Sequence, residues 1–536
     1  MRKAFNFKNI NKKSKFINLL FLFALIFTSA VQGGENANPG EQNSGNKKKE
    51  NSKVKVQILS AKSLKAGKSK NHQKLVGDVV LKQGDVKLYC DSAEINQLNN
   101  DFEAWGKVFI NKNDSIKAWG DSLKYDGASE TAKLIGNAKL VKGTTELKTA
   151  VLYLDQKQDL FYYLSPAEIV ADETKITSGI GYYYTELSKI TFRKDVVVKH
   201  PDYTIVADTM DYYSSTEKVV FHGPTNIYLE KDSIYCERGY YNPKSKKAEF
   251  VQNAEVVSEE STLMADSIVV DQELELSKSF GNVSVIDTVN KVTIYGHYGY
   301  FDQKSNLSFV TDSALFVQYM EHDTLYMHGD TIRAVEDSSE MKSFYVYHNV
   351  RMFKNDMQAV CDSLTYGFAD SLIKLFRDPV VWNGSNQLTG DTISILSFDN
   401  KLHKMFITGN SNIISQTDST YDFYDQIKGR NMVGHFKDGK MDVMDVLGNG
   451  QTLYYAQEED STYTGVNKAE CSNIKISFKD SEIYKIMFLT EPVATFYPLK
   501  QFPSSESKFD DFLWYDRLKP ENKEDVFRSN DSLKAN

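Results

Sequence analysis

The chain has 536 residues, 41% hydrophobic and 25% charged, with a formal net charge of −8. This composition excludes a disordered polyelectrolyte. Residues 1–33 hold six basic residues and no acid, which leaves 58 basic against 72 acidic residues beyond them, a net charge of −14 that disfavours nonspecific nucleic-acid binding.

The first element in chain order runs from charged to apolar to small. Arg2, Lys3, Lys8, Lys12, Lys13 and Lys15 precede an apolar run from Phe16 to Ala30, and Ala30, Gly33 and Gly34 follow. That is the order of a secretory signal, with cleavage expected after Ala30 or Gly33. The run is short for a spanning helix, which needs ~20 residues. No cysteine stands near the cleavage site to carry a lipid anchor. Residues 34–53 read as a polar, flexible linker.

A repeat organises residues 54–499. The segment Ala118-Trp119-Gly120-Asp121-Ser122-Leu123-Lys124-Tyr125 recurs, altered, as Ala207-Asp208-Thr209-Met210-Asp211-Tyr212, Ala265-Asp266-Ser267-Ile268-Val269-Val270 and Cys361-Asp362-Ser363-Leu364-Thr365-Tyr366. Thirteen copies begin at Cys90, Gly120, Thr149, Thr177, Ala207, Cys236, Ala265, Gly296, Gly329, Cys361, Gly390, Gly429 and Cys471. The steps are 28 to 33 residues except the last two, 39 and 42, which insertions such as residues 416–426 stretch. Between the copies stands a second signal, a Gly/Asn/Asp pair before alternating apolar residues, as at Gly106-Lys107-Val108, Gly136-Asn137-Ala138 and Gly281-Asn282-Val283. Gly and Asn tolerate the left-handed backbone of turns and bulges.

Period-two alternation predicts strands. Ile116, Ala118 and Gly120 share a face, and Leu123 and Tyr125 are out of phase with them by one residue. The Asp-Ser step therefore marks a bend or bulge. One repeat cannot bury its apolar face alone, whereas stacked neighbours can. These patterns predict an all-β stack, either a meander folded over itself or a parallel β-helix.

Thirteen tandem units of the form apolar-x-[Ala/Gly/Cys]-Asp-[Ser/Thr]-apolar-x-[Tyr/apolar], each with its Gly-[Asn/Asp] partner, resemble the OstA (organic solvent tolerance) family of periplasmic lipopolysaccharide-transport proteins, in a long, Bacteroidetes-type form. The resemblance implies an elongated, stacked, antiparallel β-jellyroll, open and V-shaped, whose apolar groove shields lipid acyl chains. It further implies a non-enzymatic bridge or chaperone in the periplasm, associated with the outer membrane. Its implied partners are lipopolysaccharide or a related glycolipid, together with transport components of the same fold docked end to end. The outer-membrane translocon of that pathway has a long C-terminal barrel, and barrel activity is not implied here. The chain is also far longer than a minimal periplasmic bridge protein.

On this resemblance the candidate lipid-groove residues are Leu123, Tyr125, Ile268, Val270, Ile332, Leu364, Tyr366, Ile393 and Ile395. Acyl chains gain ~0.8 kcal/mol per buried CH₂. A carrier that must release its load is served better by many weak positions than by one deep pocket. The alternative is that these side chains simply fill the core.

The Asp-[Ser/Thr] ladder lacks the Gly-Gly-x-Gly-x-Asp turn of calcium-binding β-rolls, so Asp is expected to cap backbone N–H groups at the corner. Asp114-Ser115-Ile116, Asp370-Ser371-Leu372 and Asp531-Ser532-Leu533 also resemble a bacterial O-glycosylation acceptor motif. Cys90, Cys236, Cys361 and Cys471 share the phase at which Ala and Gly stand, which predicts inward packing thiols rather than disulfides. No catalytic, metal, cofactor or phosphate-loop motif emerges from the histidines, serines and glycines. The aromatic cluster Phe509–Tyr515 in the tail 500–536 fits closure of the stack's open end, or a docking segment. Two other readings stay open: an exported β-solenoid adhesin or structural protein, and a β-helix polysaccharide lyase.

Overall fold

The computed structural model describes residues 55–66, 71–305, 307–336, 342–398, 401–438, 440–458, 462–479 and 482–529. The expected signal 1–33, the linker 34–53 and the Asp531-Ser532-Leu533 triplet lie outside the described residues. Pairings between neighbouring strands are antiparallel, so the stack is a meander and not a parallel β-helix. The chain divides into two units. One takes in the described residues up to Val257 together with Ser267–Glu273. The other takes in Ser258–Asp266 and the described residues from Leu274 onward.

In the first unit, strands His72–Gln83, Val86–Asn96, Asp101–Lys112, Ile116–Asp126, Thr131–Lys142 and Thr145–Asp155 each pair with the next. The register slips once near the middle of every pair, for example between Trp105 and Val108 and between Trp119 and Ser122. Further on, the slip widens into a break. Leu160–Tyr163 and Ala167–Ala171 replace one long strand, and Lys218–Phe221 and Thr225–Tyr228 replace another. Pro166 and Pro224 stand in those gaps, where no ladder N–H is needed.

The slip has one recurring chemistry. Gly136 (φ +80°) and Asn137 (φ +45°) bulge together, as do Gly281 and Asn282, and Gly409 and Asn410. Asn137 Nδ2 donates to Asp121 Oδ2 at 3.2 Å, Asn282 Nδ2 donates to both Asp266 oxygens at 3.0 Å, and Asn410 Nδ2 donates to Asp391 Oδ1 at 3.1 Å. In these three copies the Asp takes a side-chain amide from a neighbouring strand's bulge, where a backbone N–H was expected. A Cβ on Gly136 would stand 2.2 Å from Asp121 Oδ2, so glycine is required by both its φ and the carboxylate's approach.

The small residue that opens each copy is set by packing. A Cβ added to Gly296, Gly329 or Gly429 would lie 2.4–2.5 Å from a γ-methyl of Val310, Val346 or Val446. The four cysteines occupy this position as buried free thiols. Burial pushes Cys90 up to about 11 and Cys236 up to about 12.

The second unit begins with the same pattern, in strands such as Leu276–Asp287, Val292–Asp302, Leu307–Tyr319 and Thr324–Glu336. Its later strands Lys401–Asp418, Phe423–Lys437, Lys440–Gln457 and Tyr463–Lys479 are 15 to 18 residues long, so the stretched repeat steps come from longer hairpins. After Val493–Pro498 the tail turns back along the sheet. Phe502 meets Tyr455, Trp514 meets Tyr424, and Phe527 meets His328. The expected closure of the stack's end is therefore replaced by a strap across its strands. Ser115 and Ser371 both lie in hairpin turns.

Two measurements test the bulge and the cysteine positions. Gly136→Ala should lower stability by about 1–3 kcal/mol in urea titrations. Gly84→Ala has a positive φ but no atom within 4 Å of the added Cβ, and should lose only about 1 kcal/mol. Thiol counting in denaturant without reductant should find four reactive thiols. Two or none would contradict the shared inward position of the cysteines.

Candidate functional site

The bulge divides each strand into two arms. Residues 107–112 and 116–120 belong to one layer, and residues 101–105 and 122–126 belong to the other. Across the slip the inward phase changes by one residue on the Asp strand, from Ala118 to Leu123, and stays even on the bulged strand, from Ala104 to Val108. Val108 and Ala118 are buried in the first layer, Ala104, Leu123 and Tyr125 in the second. Side chains show that the two layers face each other. In the first unit Gln83 Nε2 donates to Tyr125 Oη at 3.4 Å, and Tyr163 Oη and Ser178 Oγ lie 2.6 Å apart. In the second, Phe316 packs on Phe344 and Tyr366 at 5.3 and 6.1 Å, and Tyr366 Oη donates to Gln318 Oε1 at 3.1 Å.

All nine candidate groove residues point between the layers and are only 0 to 8% exposed. Cross-strand pairing joins most of them into rows. Ile332, Val346, Leu364, Leu375, Ile393 and Ile407 are successive partners in the second unit, and Phe344, Tyr366, Ile373 and Ile395 form a parallel row. In the first unit Leu123 belongs to the row Leu75, Ala93, Ala104, Leu123, Leu134 and Leu152. Ile268 and Val270 lie in strand Ser261–Asp271.

Among the described residues the inner wall carries tyrosine phenols and, at Asp425, a buried carboxyl. Burial pushes the phenols of Tyr163 and Tyr241 up to about 12 and raises that of Tyr366. Charge gathers at the rim. There Lys112 and Lys142 end the inward alternation of their strands, and burial first, then Lys112, pulls Lys142 down to about 8. The outward face differs. A cavity of about 640 Å³ there is lined by Glu94, Glu103, Lys124, Lys133, Tyr153 and Tyr162. Lys124 pairs with Glu103 at 2.6 Å, and Tyr89, Phe109 and Trp119 stack across strands.

Sequence reading missed the residues that close the rim. Gln83 follows Val79 and Leu81, and Gln318 follows Ala314 and Phe316, each at the inward phase. A polar residue ending an apolar alternation was the available signal. Among the described residues no group of three or more His, Cys, Asp or Glu side chains is placed to hold a metal ion, and no helix is long and apolar enough to cross a membrane.

An antiparallel repeat with facing apolar layers defines a two-layered β-jellyroll. Residues 51–208 and 204–266 match the family of OstA-like proteins. The bulge lock of Asp391 and Asn410 recurs well beyond that match. Among solved structures the chain is similar to LptH, the LptA-homologous periplasmic component of the conserved lipopolysaccharide transport device from Pseudomonas aeruginosa. That likeness has 18% identity over 19% of this chain and 79% of LptH, with a TM-score of 0.18. No curated protein matches the sequence.

One buried carboxyl gives a pH test. Desolvation pushes Asp425 up to about 7, against the opposing hydrogen bond that Tyr455 N–H donates to it at 2.8 Å. Its ordinary value is 3.8, so the folded state holds the proton more tightly than the unfolded state. This contribution to stability is complete below about pH 4 and is lost as pH rises through about 7. Urea midpoints of the wild type, relative to Asp425→Asn, should fall across that window and level off above it.

Proposed function

We propose that the chain is a periplasmic carrier or bridge that shields the acyl chains of lipopolysaccharide, or a related glycolipid, between its facing β-layers on the way to the outer membrane. The supporting observation is the continuity of the inward apolar rows, strand after strand, with side-chain contacts alone joining the layers at the rim. Main-chain ladders run within each layer, so opening the rim breaks no ladder hydrogen bond. On this reading Leu123, Tyr125, Ile268, Val270, Ile332, Leu364, Tyr366, Ile393 and Ile395 contact the acyl chains. Lys112 and Lys142 face the anionic groups of the head, which remain near water. The role needs binding and release rather than bond chemistry. Docking of other jellyroll components at the terminal strands is part of the proposal. The exposed apolar residues Tyr484, Met487, Val493 and Phe496 near the C-terminal edge support that part.

The test is photo-crosslinking in periplasm. A photoreactive residue at Tyr125 or Tyr366 should capture a glycolipid, whereas one at the outward Lys124 or Thr365 should not. Labelling confined to the outward positions would overturn the reading. Leu364→Asp and Ile393→Asp should reduce capture, because an ionised group is costly beside acyl chains.

A further inference from the structure

Outward positions in the second unit carry a second, unrelated arrangement. Cross-strand pairing aligns Gln358, Trp382, Gln387, Ile414, Gln426, Leu453 and Lys468 in one row on the outward face. An outward row in this fold normally meets water, as Lys124 does. Here Trp382, Gln387, Gln426 and Leu453 are no more than 1% exposed, because the C-terminal segment lies across them.

The covering is selective. Gln426 Nε2 donates to the Ser507 carbonyl at 2.8 Å, and its Oε1 accepts from Phe509 N–H at 2.9 Å. Gln387 repeats the pattern further along the segment. Its Nε2 donates to the Leu513 carbonyl at 2.8 Å, and its Oε1 accepts from Tyr515 N–H at 2.7 Å. Each glutamine therefore holds the segment's main chain as a neighbouring strand would. Arg351, fully buried, donates from Nε to the Asp525 carbonyl and from Nη2 to the Leu518 carbonyl at 3.0 and 2.9 Å.

Apolar seats set the spacing. Leu518 and Tyr515 fill a patch of Val360, Val380 and Trp382, and Leu499, Phe502 and Phe509 fill one of Leu453, Tyr455 and Val466. Charge sets the direction, with Lys468–Glu506, Lys508–Asp422 and Lys428–Asp511 paired at 2.5 to 2.8 Å. A plain apolar cap needs none of the three buried polar readers, each of which is costly to bury unless matched. Main-chain reading combined with side-chain seats is the logic of peptide recognition.

We propose that this outward face is a peptide-binding site, filled in cis by residues 505–528 and able to take the same segment from a second copy of the chain. Residues 503–506 are exposed, so the segment is held by the face rather than by its connection. A second copy supplies the matching partner, because each copy carries the aromatic spacing and the charge order that the face reads.

The experiment uses the full chain with a protease site inserted between Ser504 and Ser505, cleaved under native conditions. The freed segment should stay bound through gel filtration, and a labelled synthetic peptide of residues 505–529 should exchange into its place with saturable binding. A scrambled peptide should not bind. A tagged segment should also transfer to untagged cleaved chains. Gln387→Ala and Gln426→Ala should each weaken peptide binding roughly ten- to thirtyfold. Lys428→Glu, a half-exposed position, should also weaken binding, and an Asp511→Lys peptide should restore it. Equal binding of the scrambled peptide would show only an apolar patch. A freed segment that never exchanges would be a fixed part of the fold. Loss of the segment with no peptide uptake would show that there is no site. Any of these three results overturns the proposal.

Discussion

A strand that crosses a bend faces a problem of parity. Its side chains alternate strictly, so an apolar set that points inward on one side of the bend needs one extra residue to point inward again on the other. On the Asp strand that residue sits at the Asp-Ser step, between the inward Ala118 and Leu123; on the next strand the Gly-Asn pair spans the same bend, and the Asp holds its amide. Asp121 with Asn137, and Asp266 with Asn282, are each sixteen residues apart in sequence, so each lock ties the first strand of a repeat to the strand that follows it. Glycine is fixed by its positive φ, asparagine by its amide, and the small residue by the valine γ-methyl packed against it. The contact recurs at Asp391 and Asn410, so copies of the motif in both units carry it.

That explains what was legible. The motif and its period are local and repeated, so the strands, the one-residue phase change and the inward face of Leu123 and Tyr125 could all be read from the chain. The partner of the Asp could not. Alternation places a side chain on a face, but a cross-strand amide contact depends on register, which pairing decides. Gln83 and Gln318 look like ordinary polar strand ends until the opposite layer brings Tyr125 and Tyr366 to them. The strap was least legible. Phe509, Trp514 and Leu518 are visibly apolar, but their seats lie far back in the chain, on a face whose alternation reads as solvent-exposed.

The outward faces differ for the same physical reason that the inward ones agree. In the first unit the outward positions carry Lys124 with Glu103 and the stack of Tyr89, Phe109 and Trp119, contacts that tolerate water. In the second, the outward side chains include Trp382 in the short strand Val380–Asn383 and Ile414 and Leu453 in strands of 18 residues. Left bare, such a row would be an aggregation surface. The tail buries it. Arg351 and the two glutamines satisfy main-chain groups that a purely apolar face would leave unpaired.

At first sight, burial of the groove residues argues against a carrier, since a filled interior has no space to lend. The energetics of the proposed role point the other way. An acyl chain entering between the layers replaces apolar side-chain contacts with apolar contacts of similar area, so that exchange is close to neutral. The chain leaves water in the process, at ~0.8 kcal/mol per CH₂. What must break is the rim, where Tyr125–Gln83 and Tyr366–Gln318 are each worth about 1 kcal/mol net. The ladders and bulge locks stay intact. In the proposed role, a few weak latches set against a long, graded apolar gain would let the groove open under load and close behind it, whereas a permanently open groove would expose its inner rows to water whenever it stood empty.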